Sequence, residues 1–110
     1  MKTIQDNIQC SGIKVAMRDD HGNEVGRAFL YIMHNDLRAQ PFGLMEDVYI
    51  AEKIRGQGLG TSLVQKIIVL AKEKGCYKLI ATSRYSREKV HQLYTDLGFQ
   101  DYGKEFRIDL

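Results

Sequence analysis

At 110 residues, 44% hydrophobic and 27% charged, the chain has the size and composition of one soluble domain with a real core. A formal net charge of +2 is too small for the concentrated basic stripe of a nucleic-acid binder. No apolar run approaches the roughly 20 residues that cross a bilayer, and the opening MKTIQDNIQC lacks the apolar stretch of a signal peptide. The expectation is a single domain over 1–110, with no nucleic-acid or membrane partner.

The elements follow in chain order. IKVAMR, 13–18, alternates Ile13, Val15 and Met17 against Lys14, Ala16 and Arg18, the pattern of a half-buried strand. DDHGNE is a turn, with Gly22-Asn23 suited to positive φ. EVGRAFLYIM, 24–33, is apolar on both parities and predicts a central strand paired antiparallel with the first. A loop through Pro41 leads to a third strand, LMEDVYIA, 44–51. From Leu59 to Lys74 the apolar residues fall at 59, 63, 64, 67, 68, 70 and 71, a broad helical stripe ended by Gly75. YKLIAT, 77–82, predicts a fourth strand, parallel to the third through a right-handed crossover. A second helix is expected from a Ser86 cap to Leu97, with Val90, Leu93, Tyr94 and Leu97 inward and Gly98 closing it. FRIDL then alternates Phe106, Ile108 and Leu110 as a last strand, with a short additional strand near 99–102. The fold class is α/β, with one mixed, largely antiparallel sheet, a central β-α-β unit and flanking helices.

Three glycines, Gly56, Gly58 and Gly60, stand at alternate positions where the first helix opens. A helix N-terminus presents backbone N–H groups without intrahelical partners, together with the positive end of its dipole. Glycines ahead of it let a bulky anion approach the backbone. No Ser, Thr, Asp or Asn stands in the cap position before Leu59, so a bound anion can satisfy those donors. The phosphate-loop signature fails because no lysine precedes Thr61 or Ser62, and Thr61 replaces the last glycine of the dinucleotide fingerprint. Close backbone packing at a helix start is the competing explanation. The charge distribution favours the anion. The first fifty residues carry five basic and seven acidic side chains, the last sixty eleven and seven.

Arg55-Gly56-Gln57-Gly58-Leu59-Gly60 fits the [RQ]-x-x-G-x-[GA] pyrophosphate motif of the GNAT superfamily of N-acetyltransferases, which the chain resembles over about 13–110. Glu46-Asp47-Val48-Tyr49-Ile50 lies at the strand spacing that precedes the motif, and Leu93 to Phe99 is similar to the L-Y-x-x-x-G-F segment. The resemblance implies acetyl-CoA as cosubstrate. Its pantetheine arm would pair with Val48, Tyr49 and Ile50, its pyrophosphate would rest on N–H groups from Arg55 through Gly56, Gln57, Gly58, Leu59 and Gly60 to Thr61, and Lys53 and Arg55 would add charge. A backbone N–H near Val48 would serve as the oxyanion donor.

The remaining chemistry is proton transfer and positioning. Glu46 is the candidate base. Strand parity groups it with Leu44, Val48 and Ile50, where an apolar setting would raise its pKa; a structural salt bridge is the alternative, and Asp47 the second choice of base. Tyr94 is the candidate acid by resemblance, and otherwise a core tyrosine with its hydroxyl at a wet edge. Many family members carry asparagine seven residues before this tyrosine, where this chain has Arg87. Arg84, Arg87 and Lys89 read either as phosphate contacts or as a solvated helix start. His91 is expected to be packed or exposed, and Cys76 a small buried hydrophobe. Cys10 and Cys76 stand in no metal-ligand spacing, so a reducing cytoplasm and no metal are expected.

About twelve residues precede Ile13, fewer than the strand and helices that build much of the acceptor pocket in the resembled family. A homodimer whose second subunit supplies that wall is therefore expected. The leading function is direct transfer of the acetyl group of acetyl-CoA to a primary amine of a small molecule or protein. The alternatives are a non-catalytic acyl-CoA-binding or regulatory module, and a structural domain without ligand.

Overall fold

The computed structural model describes all 110 residues. Its elements are β1 (Ser11–Arg18), β2 (Glu24–Met33), β3 (Phe42–Ile50), a 3-10 turn (Glu52–Ile54), α1 (Leu59–Glu73), β4 (Leu79–Ala81) and α2 (Glu88–Asp96). They form one four-stranded sheet in the order β1-β2-β3-β4. The first two pairings are antiparallel and β3–β4 is parallel, so α1 is the crossover of a β-α-β unit, as the periodicity predicts.

Helix α1 packs its apolar stripe on one face of the sheet. Leu63, Val64, Ile67 and Ala71 meet Ala28, Leu30, Ile32 and Met45 in a cluster of eight buried residues. Leu93, Tyr94 and Leu97 of α2, followed by Phe99, pack against this cluster from the side. The opposite face carries Lys14, Phe29, Tyr31, Leu44 and Glu46, none of them buried.

Register explains where the site forms. Arg27 pairs with Tyr49, but Phe29 pairs with Glu46, so β3 holds one residue more than β2 across that interval. This bulge centres on Asp47, the one non-glycine residue at positive φ, 53°. Because side chains alternate with period two, an added residue reverses parity beyond it. Met45 faces the core, and so do Val48 and Ile50, whereas Glu46 faces the other way, cross-strand from Phe29. The expected grouping of Glu46 with Val48 and Ile50 is therefore corrected.

Three further expectations change. Helix α2 begins at Glu88 after Arg87, and Ser86 does not cap it; no side chain caps that end. Asn23 does not share the positive φ of Gly22 in the β1–β2 turn. No strand forms over 99–102 or 106–110, and Phe106 and Ile108 stand 90% and 80% exposed. The alternation at 106–110 is real, but without a neighbouring strand its backbone has no ladder to join, and Arg107 pairs with Asp109 two residues on.

Candidate active site

The parallel pair is short. Strand β4 meets β3 only through Gly43↔Leu79, Leu44↔Ile80 and Met45↔Ala81. Beyond Met45 the edge of β3 that faces away from β2 has no strand partner. Glu46 to Ile50 thus present a strand edge with no strand neighbour, the kind of edge to which an extended ligand adds.

The glycine-rich turn follows the end of this edge. Gly56 and Gly58 take φ of 83° and 78°, values that cost other residues on the order of 1 kcal/mol. A Cβ added at either would meet no protein atom within 4 Å. Close packing is thereby excluded as their reason, and open space lies where a ligand would approach. At Gly60 an added Cβ would meet only Ile50 Cγ1, at 3.9 Å.

The hydrogen bonds decide whether this turn can grip an anion. Ser62 N–H is the first to enter the helical ladder, donating to the Gly58 carbonyl at 3.1 Å. The N–H groups of Gly56, Gln57, Gly58, Leu59, Gly60 and Thr61 donate to no protein acceptor. Six adjacent donors at the positive end of a fifteen-residue helix, with no acidic side chain in its first turn, fit a diphosphate. Arg55 departs from the expected set. Its N–H donates to the Glu52 carbonyl at 3.2 Å, and its guanidinium Nε donates to the Ile50 carbonyl at 2.7 Å. It can contribute side-chain charge, not its amide. A concavity of about 400 Å³ adjoins the turn, lined by Thr61, Lys89, Gln92, Leu93, Asp96 and Leu97. Lys89 supplies a cation there.

Glu46 lies on the open face of the sheet. It makes no hydrogen bond or ion pair, which removes the structural salt bridge. Burial raises its carboxyl above the usual carboxylate range, and the charges of Asp47 and Glu105 raise it further. Asp47 is exposed on the bulge. Tyr94 is half-buried, and Phe99 packs on its ring at 5.2 Å between centroids. The chain reverses at Gly98, and Phe99 N–H returns to the Tyr94 carbonyl at 2.9 Å, which gives the L-Y-x-x-x-G-F segment its physical meaning. Burial raises the Tyr94 hydroxyl above its ordinary value; Arg87 opposes that and the Glu46 charge adds to it.

The other candidates separate from this centre. His91 Nε2 hydrogen-bonds the Arg84 carbonyl at 2.8 Å and closes the loop before α2. Arg84 is exposed. Cys76 is half-buried, and burial pushes its thiol up, away from nucleophilic reactivity. The bulge at Asp47 is the functional feature that sequence reasoning missed. The apolar pattern held a sign of it, since Met45 and Val48 are three apart where an unbroken strand face runs in twos.

The model of the acetyltransferase (GNAT) family matches residues 3–99. A glucosamine 6-phosphate N-acetyltransferase of Trypanosoma brucei brucei is 34% identical over 113 residues, covering 100% of this chain and 75% of its own length. A thialysine N-epsilon-acetyltransferase of Bos taurus is 31% identical over 77 residues, 70% of this chain and 45% of that protein. The crystal structure of a Trypanosoma brucei acetyltransferase superposes with a TM-score of 0.83 at 33% identity, covering 90% of this chain and 69% of the other.

Proposed function

This chain belongs to the GNAT family of acetyltransferases, and we propose that it transfers the acetyl group of acetyl-CoA directly to the primary amine of a small molecule. The observation that carries this reading is the row of six N–H groups, Gly56 to Thr61, without protein acceptors beside the unpaired edge of β3. Acetyl-CoA, when bound, supplies a thioester already activated toward nitrogen. The chain then has to align two reactants and manage two protons.

Roles follow from position. The six N–H groups hold the pyrophosphate, and the side chains of Lys53, Arg55 and Lys89 add charge around it. The edge of β3 from Val48 through Tyr49 to Ile50 would seat the pantetheine arm, and a backbone N–H near Val48 would stabilise negative charge on the acyl oxygen. Glu46, unpaired and with a raised pKa, takes the proton from the incoming ammonium. Tyr94, protonated at neutral pH, returns a proton to the departing sulfur.

The acceptor is a small amine rather than a protein, a reading supported by the trypanosomal and bovine relatives, a glucosamine 6-phosphate and a thialysine acetyltransferase. A second copy of the chain covers the open sheet face. Support comes from Phe29 and Tyr31, stacked at 6.3 Å on that face, where no element of this chain buries them. Free thiols at Cys10 and Cys76 support a reducing cytoplasm as the setting.

A thermal-shift and thiol-release experiment tests the function. Acetyl-CoA at one hundred times its dissociation constant should stabilise the protein by about 2.7 kcal/mol, and glucosamine 6-phosphate or a lysine-like amine should then release free thiol. Absence of stabilisation refutes coenzyme binding. Stabilisation without thiol release from any amine of a panel makes the chain a non-catalytic acyl-CoA-binding module. A sedimentation mass of one chain at micromolar concentration refutes the dimer.

A further inference from the structure

A second concavity, of about 220 Å³, lies at the other end of β3, where β2 runs out and β4 begins. Eight residue steps along β3 separate Phe42 from Ile50, roughly 26 Å at the rise of an extended strand, so this cavity is remote from the glycine-rich turn. Asn35, Arg38, Gln40, Phe42, Tyr77 and Lys78 are among its lining.

Its electrostatics are one-sided. The Arg38 guanidinium stands 4.6 Å from the Tyr77 ring centroid, and the Lys78 ammonium stands 5.2 Å from the centroids of both Tyr77 and Phe42. Neither cation has a carboxylate within 4.0 Å, since the ion pairs of the chain lie elsewhere. Ring faces attract such cations by about 0.5–1 kcal/mol at exposed sites, which biases their position without neutralising them. Two positive charges thus share one mouth. The backbone beneath is tied down, with Tyr77 N–H donating to the Pro41 carbonyl at 3.0 Å and Gly43 N–H to the Lys78 carbonyl at 2.9 Å. Asn35 spends its Oδ1 on Leu37 N–H at 2.9 Å, which leaves its amide NH2 to donate. Gln40 has no side-chain partner in the protein. No carboxylate lines the cavity, and Asp36, in the same loop, pairs with neither cation.

Size narrows the ligand. Pockets for drug-sized molecules run from about 300 to 1,000 Å³, so a nucleotide is too large and a single phosphate group with a short carbon body fits. Two cations match the double charge of a phosphate monoester, and the amide donors match its remaining oxygens. We propose that this cavity is a second binding site, distinct from the coenzyme cradle, for a small phosphorylated compound held by its phosphate between Arg38 and Lys78.

The test is a backbone and side-chain amide NMR titration of the full chain with inorganic phosphate, in the presence of saturating coenzyme A. Signals from residues 56–61 report the cradle separately, so a failure of the coenzyme reading does not obscure the result. The expected outcome is saturable shifts at Asn35, Gln40, Tyr77 and Lys78, with affinity lowered about tenfold or more in the Arg38→Ala, Lys78→Ala double variant, as loss of charge-assisted hydrogen bonds requires. Both side chains are exposed, and the wild-type dispersion of the remaining amides verifies that the variant is folded. The single variant Arg38→Gln should give an intermediate affinity. Shifts confined to 56–61, no shift at all, or equal affinity in the double variant would each overturn the proposal.

Discussion

The two helices of this protein, neither capped by a side chain, begin differently. At the start of α1 the chain leaves six N–H groups without acceptors, places no acidic residue in the first turn, and holds two glycines at positive φ. At the start of α2 the open row is shorter, with only the Glu88 and Lys89 N–H groups lacking acceptors. Arg87 N–H donates to the Arg84 carbonyl, Val90 and His91 N–H both donate to the Arg87 carbonyl, and Glu88 stands in the first turn against the helix dipole. The difference teaches where a ligand belongs. Six adjacent open donors against two, with an acidic side chain in the first turn only at α2, make the start of α1 the better anion site. In the proposed function this is a division of labour, in which α1 would bind and α2 would carry Tyr94 to the reacting groups.

The largest expected effects lie on the reacting side. Glu46→Gln and Tyr94→Phe should each lower kcat by about 10² to 10⁴, the range for a general acid or base, while coenzyme affinity measured by calorimetry stays within a few-fold. Loss of coenzyme binding in Tyr94→Phe would erase the contrast between the helices. In wild type, activity should fall as pH drops through the Glu46 pKa, which lies above the ordinary carboxylate value of 4.5, because the base must be ionised. Glu46→Gln should remove that acidic limb from the pH–rate profile.

Next comes the cradle. Gly58→Val forces a β-branched residue into a left-handed conformation at a cost of about 1–3 kcal/mol, and weaker acetyl-CoA binding by roughly 10- to 100-fold should follow. Equal affinity would show that the open end of α1 is not the anion site. A smaller effect concerns stability. Folding raises the Glu46 pKa, so the folded state keeps a proton that the unfolded state has lost, and stability declines as pH rises through that window. Glu46→Gln should therefore raise Tm slightly at neutral pH and leave it unchanged well below pH 4, which paired melting scans would read. Smallest is Glu88→Ala, expected to cost about 0.3–1 kcal/mol of stability through the lost dipole interaction with no change in coenzyme affinity.

Much of the cradle was legible in the sequence because it is made of backbone. Glycine spacing and the missing cap before Leu59 both speak of main-chain donors, and α1 starts at the predicted residue. Strand β2 matches its predicted limits for a similar reason, since a central strand is apolar on both faces and bounded by turns. Glu46 was legible as a residue but not as a position, because one added residue at Asp47 turns it to the other face. Nothing in the type of a single aspartate announces a bulge, although its tolerance of positive φ permits one. The start of α2 was misplaced for want of a side-chain cap, and the alternation of FRIDL describes a strand face without supplying the neighbour that a strand requires.

One consequence of the Arg55 side chain extends beyond charge. Its guanidinium, clasped to the Ile50 carbonyl at 2.7 Å, braces the glycine-rich turn against the last residue of the strand before any ligand arrives. A turn held rigid in advance surrenders little freedom on capture, so less of the interaction energy is lost to ordering. Flexible glycines and an anchored arginine are complementary: the glycines permit the shape, and the arginine keeps it from wandering.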